Sequence, residues 1–427
     1  MPSAGARDAA LKSLMAFRRS GAWPDLQLKK LCDSLSSEDA ALAAALTYGT
    51  LQNVLLIDFT LQSISTIPLK KVMPQVLDAL RLGVFQLLWL DRIPDSAAVN
   101  ETVKQVKKQG GPRAGGYANA LLRRLIALRD EDRLPQPQGK QRLSLLYSHP
   151  QWFVQAMLDR LGEDGCEALL RANNTPAGIT LRVNTLKTDT DSLKSRLASE
   201  GISCSPLPGL RDALWTESLG NPSALDSFRQ GLFYIQDAAS QMCVHALNPT
   251  PGARVIDMCA APGGKTLLCA QLMKNQGSIL AMDIHPHKVE LIEKNAVRYG
   301  VDIIRTAVAD ASKPQEQLRE SADFVLCDVP CSGMGIIRKK PDIRFKKQED
   351  VLHLPELQSA ILHTAAGYVK PGGRLLYSTC TVLQAENEEV VRAFLADTPG
   401  WELAEMRTFW PHVDNTDGFF TARLERL

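Results

Sequence analysis

Apolar and polar positions change rhythm twice along the chain. Through the first 130 residues the apolar positions keep helical time. Leu77, Leu80, Val84, Leu87 and Leu88 stand 3, 4, 3 and 1 residues apart, which predicts one buried helix face. Ser36-Ser37-Glu38-Asp39 carries the capping signal of another helix. Pro68, Pro74, Pro94 and Pro112 punctuate between helices. Residues 131–140 hold no apolar rhythm and read as a linker. Residues 141–235 are mixed: a helix is predicted over 151–161, and 179–184 alternates as a half-buried strand. From Gln236 onward short apolar strands alternate with helices, the pattern of a parallel, doubly wound sheet. Strands are expected near 254–259, 278–283, 303–308, 323–328, 373–379 and 418–424. The chain thus reads as an all-helical domain (1–135), a small mixed α/β region (141–235) and an α/β Rossmann-like domain (236–427).

Between the first of those strands and its helix stands Cys259-Ala260-Ala261-Pro262-Gly263-Gly264-Lys265. A glycine turn there lets backbone approach a ligand and aims free N–H groups at it. Asp283 follows Gly263 by 20 residues and ends the second strand. An acid at that distance is placed to hold ribose hydroxyls, so an adenosine-containing cofactor is predicted. The crevice of a doubly wound sheet lies at the carboxyl ends of its strands. Those ends carry Cys259, Asp283, Asp310, Asp328-Val329-Pro330-Cys331-Ser332-Gly333 and Tyr377-Ser378-Thr379-Cys380-Thr381. Two cysteines, Cys331 and Cys380, are therefore expected beside three carboxylates at one crevice. Pro330 stiffens the turn before Cys331, and Cys380 leaves a strand directly. A free thiol with a pKa of about 8.5 is a weak nucleophile until its surroundings activate it. Cys32, Cys166, Cys204, Cys243, Cys269 and Cys327 read as small buried hydrophobes.

Composition narrows the class. The 427 residues are 45% hydrophobic and 22% charged, as in ordinary soluble proteins. No secretory signal and no membrane-length apolar run are visible, so a cytoplasmic protein without a membrane partner is expected. Nine scattered cysteines read as thiols, and His285 and His287 as loop residues, so no metal is expected. The net charge of +2 hides an asymmetry: residues 1–135 hold 18 Lys+Arg against 13 Asp+Glu, the remainder 31 against 34. Lys104, Lys107, Lys108, Arg113, Arg123, Arg124 and Arg129 crowd 100–129, where Glu101 is the sole acid. Such a stripe is the footprint of a phosphate backbone or a solvated helix face, and charge alone leaves both open. Arg338, Lys339, Lys340 and Arg344 form a second basic group after the Cys331 motif.

Taken together in order and spacing, the 259–266, 328–333 and 378–380 motifs resemble the S-adenosylmethionine-dependent RNA cytosine-5 methyltransferases of the NOL1/NOP2/Sun family. The likeness continues through Arg182-Val183-Asn184, 236–241, Glu386-Asn387-Glu388 and 417–420. Ala98-Val99-Asn100-Glu101 and 118–124 resemble a NusB-type RNA-binding domain, a pairing similar to the bacterial RsmB (Sun/Fmu) subgroup. Val329 departs from the alanine common in the family. The resemblance implies a class I methyltransferase fold, S-adenosylmethionine as cofactor, and a 16S rRNA cytosine (the cytosine-967 type) as target. It implies Cys380 as attacking nucleophile, Cys331 in product release and Asp328 against the base. Asp283 would hold the cofactor ribose, Asp310 the adenine edge, and 259–265 the methionine end. Lys104, Lys107, Lys108, Arg123, Arg124, Arg338, Lys339, Lys340 and Arg344 are the candidates for RNA contact, and a monomer is expected. Competing readings are methylation of tRNA or another rRNA site, a non-catalytic RNA-binding or antitermination protein, and an oxidoreductase. The last lacks G-x-G-x-x-G spacing.

Overall fold

The computed structural model describes residues 5–21 and 24–427. Contacts divide the chain into two units, Met1–Asn174 with Lys340–Lys347, and Thr175–Lys339 with Gln348–Leu427. These boundaries differ from the expected ones. The 131–140 stretch lies inside the first unit, and the expected 141–235 region is split after Asn174. Side chains explain the shift: Ser148 Oγ accepts the Leu55 N–H at 2.8 Å, and Gln52 Nε2 donates to Asn174 O at 2.8 Å.

The first unit is helical. Ser36 caps the helix Ser37–Gln52 by accepting the Asp39 N–H, as its sequence predicts. The helix Pro74–Trp89 buries Leu80, Val84 and Leu87 as expected, but also Val76, Ala79, Leu82 and Phe85. A helix apolar on most sides sits in the middle of a bundle. The basic stripe lies on Asp95–Asp130, which is broken at Gly111 (φ 80°, ψ −178°) just ahead of Pro112. Proline there cannot donate to the preceding turn, so two helices meet at that point.

The second unit holds two sheets. The smaller joins β1 (Ile179–Val183), β2 (Ser205–Pro206), β3 (Ala213–Thr216) and β4 (Phe233–Ile235) in the order β2-β3-β1-β4, all antiparallel. The larger contains β5 (Arg254–Asp257), β6 (Ser278–Asp283), β7 (Ile304–Val308), β8 (Ala322–Asp328), β9 (Val369–Thr379), β10 (Trp401–Phe409) and β11 (Phe419–Arg426). Their order is β10-β11-β9-β8-β5-β6-β7. Alternation along the strands makes two cores. Ile256, Val325, Cys327, Leu375 and Tyr377 face one side with Ile361, Leu362 and Phe394. Val255, Phe324, Leu326 and Leu376 face the other with Val244, Leu247, Leu267 and Leu268. Helices on both faces are what a central parallel sheet requires.

The sheet is mixed rather than purely parallel. β11 runs antiparallel between β9 and β10. Sequence reading also missed β10. It is an edge strand whose exposed Glu402 and Glu405 erase the alternation that marks a strand.

Candidate active site

β5 to β9 run parallel, so their carboxyl ends gather along one edge. Asp257 pairs with Ala281 and Leu326, Asp283 with Val308, and Asp328 with Ser378. The chain leaves that edge into the glycine turn, toward Asp310, into the Cys331 turn and into Cys380. This is the convergence expected from sequence, with Asp257 added.

Gly263 has φ 99° and caps the helix Gly264–Leu272. That left-handed conformation favours glycine. A Cβ on Gly264 would stand 3.0 Å from the Tyr234 ring. The turn forms one wall of a cavity of about 210 Å³, with Asp257, Cys259, Lys265 and Asp328; Tyr234, Gln236 and Ser240 form another. Close backbone, helix N–H groups and an aromatic ring fit an adenosyl cofactor, and the small residues Ala260, Ala261 and Gly264 leave it room. Asp283 and Asp310 do not line this cavity. Each holds its own backbone: Asp283 Oδ1 accepts the His285 N–H at 3.0 Å, and Asp310 Oδ1 accepts the Ser312 N–H at 3.1 Å. Hydrogen bonds from Ser312 hold the Asp310 carboxyl below its ordinary range. Burial pushes Asp257 up to about 7 although Thr266 Oγ1 donates to it at 2.6 Å.

Cys331 Sγ and Cys380 Sγ lie 3.1 Å apart. The hydrogen bond between them lowers Cys380, against burial and the Asp328 charge and with the help of Lys265. The same bond, with burial, drives Cys331 well above the thiol range. The two shifts run in opposite directions, so Cys380 is the sulfur that loses its proton more readily. Lys265 Nζ donates to Asp328 Oδ2 at 2.6 Å, and Ser378 Oγ to Asp328 Oδ1 at 2.7 Å. Burial opposes the Lys265 charge, yet Asp328 raises it above the usual lysine range. Burial, then Asp257, drives Cys259 far above the thiol range, so this cysteine packs as a neutral group.

Glu386 is a positioning residue that sequence reasoning did not single out beyond its motif. It is buried, and its Oε2 accepts from Ser332 N (2.8 Å) and Gln358 Nε2 (2.9 Å). Gln358 Nε2 also donates to Pro330 O at 2.9 Å, so the backbone is pinned on both sides of Cys331. Asn387 does the same for the other cysteine, joining Thr379 Oγ1 (2.6 Å) to Thr381 O (3.0 Å). An acid far along the chain gives no local signal that it lies under this turn.

Three family models match the chain: 16S rRNA methyltransferase RsmB/F over residues 244–425, the NusB family over 4–127, and the RsmF/B-like ferredoxin-like domain over 149–220. The Bacillus subtilis protein named "Probable ribosomal RNA small subunit methyltransferase B" is 37% identical over 449 residues, covering 100% of both chains. The chain belongs to the RsmB/F methyltransferase family. A solved structure, PH0851, is 29% identical with a TM-score of 0.83 and covers 100% of this chain and 99% of its own. NSun6 from Pyrococcus horikoshii, solved with SFG, shares the fold at 23% identity and TM-score 0.61, over 66% of this chain and 99% of its own. The cofactor of this RsmB/F-family chain is S-adenosylmethionine.

The basic candidates divide. Lys104, Lys107, Lys108, Arg123 and Arg124 are exposed on Asp95–Asp130, although Lys104 pairs with Glu101 at 2.6 Å and Arg124 Nη1 donates to Ile64 O at 3.0 Å. The second group is mostly structural, contrary to expectation. Arg344 is buried within the first unit, where it donates to Tyr147 O, Ser148 O, Asn173 O and Asn174 Oδ1. Arg338 Nε bonds Asp417 Oδ1 at 3.0 Å, and Lys339 Nζ bridges Asp237 (3.0 Å) and Asp417 (2.7 Å). Those acids use the charges that a phosphate would have needed. Lys340 is exposed. Among the described residues no His, Cys, Asp and Glu group could hold a metal, and no single helix is long and apolar enough to cross a membrane.

Proposed function

We propose that the protein methylates carbon 5 of a cytosine in 16S rRNA, of the cytosine-967 type, through a covalent bond from Cys380 to carbon 6. The observation that carries this reading is the 3.1 Å cysteine pair beside Asp328 and the glycine turn. Bound S-adenosylmethionine supplies an electrophilic methyl group on a sulfonium. Carbon 5 of cytosine is a poor nucleophile until a thiolate adds to carbon 6 and pushes electrons onto it. The Cys380 thiolate makes that bond, and Asp328 accepts a hydrogen bond from the protonated N3 or the amino group. After methyl transfer the carbon-5 proton leaves, the carbon–sulfur bond breaks and Cys380 departs as thiolate. Cys331 assists this release. Asp283 meets the ribose with the oxygen not used in its own turn, and Asp310 meets the adenine edge beside its pairing with Lys313 (Nζ–Oδ2 3.2 Å). A stacked base cannot reach Cys380, so the target is unpaired or flipped at a cost of a few kcal/mol. Lys104, Lys107, Lys108, Arg123, Arg124 and Lys340 offset that cost through phosphate contacts.

The test is methyl transfer from labelled S-adenosylmethionine to 16S rRNA, mapping the product base. Cys380→Ala is expected to abolish transfer, and Cys331→Ala to accumulate a protein–RNA adduct. Methyl on another atom or base, or an active Cys380→Ala enzyme, refutes the mechanism.

A further inference from the structure

A second cavity of about 210 Å³ lies in the same unit, apart from the glycine turn. Its lining includes Gly178, Trp215, Asp237, Met242, Arg338 and Asp414. Trp215 is 39% exposed, unusual for so large an apolar ring. Gly178 sits directly under it: a Cβ there would stand 2.1 Å from the indole nitrogen. Only glycine lets the indole approach the backbone this closely, and the exposed part of the ring is open to a stacking partner. Arg338 is the reverse case, a guanidinium with a side chain only 7% exposed that still borders the cavity. Asp417 engages its Nε at 3.0 Å, which leaves the Nη donors for a ligand.

We propose that this cavity binds a second nucleobase of the RNA, one that flanks the target in sequence, stacked on Trp215 and hydrogen-bonded by Arg338. The proposal rests on the RNA methyltransferase reading and adds a specificity site to it. The lining chemistry selects the ligand class. The cations around this cavity are already paired, Lys339 with Asp237, Arg407 with Asp414 and Arg338 with Asp417, so a full phosphate charge finds little to neutralise it. A base offers ring faces for the indole, carbonyl or ring-nitrogen acceptors for Arg338 and amino donors for the acids. The position also suits a flanking nucleotide. Arg338 holds Asp417, the neighbouring Gly418 N–H donates to Gly335 O at 2.8 Å, and Gly335 N–H donates to Cys380 O at 3.0 Å. A short run of hydrogen bonds thus joins the cavity wall to the backbone of Cys380.

The experiment pairs Trp215→Leu and Trp215→Phe with RNA transcripts that carry single abasic positions around the methylated base. Loss of a stacking platform is expected to raise KM for RNA roughly ten- to a hundred-fold. KM for S-adenosylmethionine should hold. Trp215→Phe should keep most of the affinity, which also shows that the strand still folds. One abasic position should reproduce the Trp215→Leu defect and add nothing to it. Wild-type transfer with an unchanged KM in Trp215→Leu overturns the site alone. A Trp215→Leu defect additive with every abasic position makes the occupant something other than a base, and also overturns it. A wild-type enzyme that transfers no methyl to RNA overturns the parent reading as well.

Discussion

Replacing Arg344 by Met should destabilise the first unit without removing a phosphate contact. The guanidinium donates to Tyr147 O at 3.0 Å, Ser148 O at 2.9 Å, Asn173 O at 3.3 Å and Asn174 Oδ1 at 2.6 Å, and stands 3.1 Å from His149 Nδ1. Burial is deep enough to lower Arg344 to about 9, and burial with the Arg344 charge holds His149 well below the ordinary histidine range. Methionine fills similar space but takes the donor from Ser148 O, Asn173 O and Asn174 Oδ1, while Tyr147 O keeps the Asn174 Nδ2 donor at 3.0 Å. Each buried acceptor without a donor costs about 1–3 kcal/mol. Relief from burying a charge offsets part of this, so a net loss of about 3–5 kcal/mol is expected. For a unit of this size that is a drop of roughly 10 °C in Tm. Urea unfolding and calorimetry measure it. RNA affinity at several salt concentrations, below the variant's transition, completes the test. A phosphate-contacting arginine would leave stability unchanged and flatten the log K against log salt slope by about 0.9. That result would refute the structural role.

Asp257 and the cysteine pair make two further predictions. Asp257 stands near 7 in the folded protein, against about 4 in an unfolded chain. A raised carboxyl stabilises the fold at low pH and loses that contribution as pH rises, so stability should fall between about pH 4 and 7, by at most about 4 kcal/mol. Asp257→Asn should flatten that slope in urea titrations, whereas identical slopes would contradict the burial argument. Cys331→Ala removes the hydrogen bond that lowers Cys380. Alkylation of Cys380 by iodoacetamide should then slow at pH 7 and shift its midpoint upward; an unchanged profile would assign the activation to Lys265 instead.

The sequence by itself determined the elements whose cause is local. The glycine turn needs only the φ of 99° that Gly263 can adopt, and its place between β5 and a helix is written in adjacent residues. Short continuous apolar runs assigned the core strands, because a parallel sheet covered on both faces must be apolar on both. Once the strands were placed, the rule of carboxyl ends brought Asp283, Asp328, Cys331 and Cys380 to one edge. Tertiary structure alone decided the contacts between distant positions. Cys331 and Cys380 are 49 residues apart, and only the pairing of β8 with β9 brings their sulfurs to 3.1 Å. Glu386 under the Cys331 turn, and Gly178 under Trp215, depend on the same kind of long-range approach. So does the fate of the basic group: as sequence, 338–344 is a run of positive charge. In the fold, Asp417 and Asp237 hold Arg338 and Lys339, while backbone carbonyls of the first unit hold Arg344. Charge is read along a chain, but its use depends on which partners the fold brings within hydrogen-bond distance.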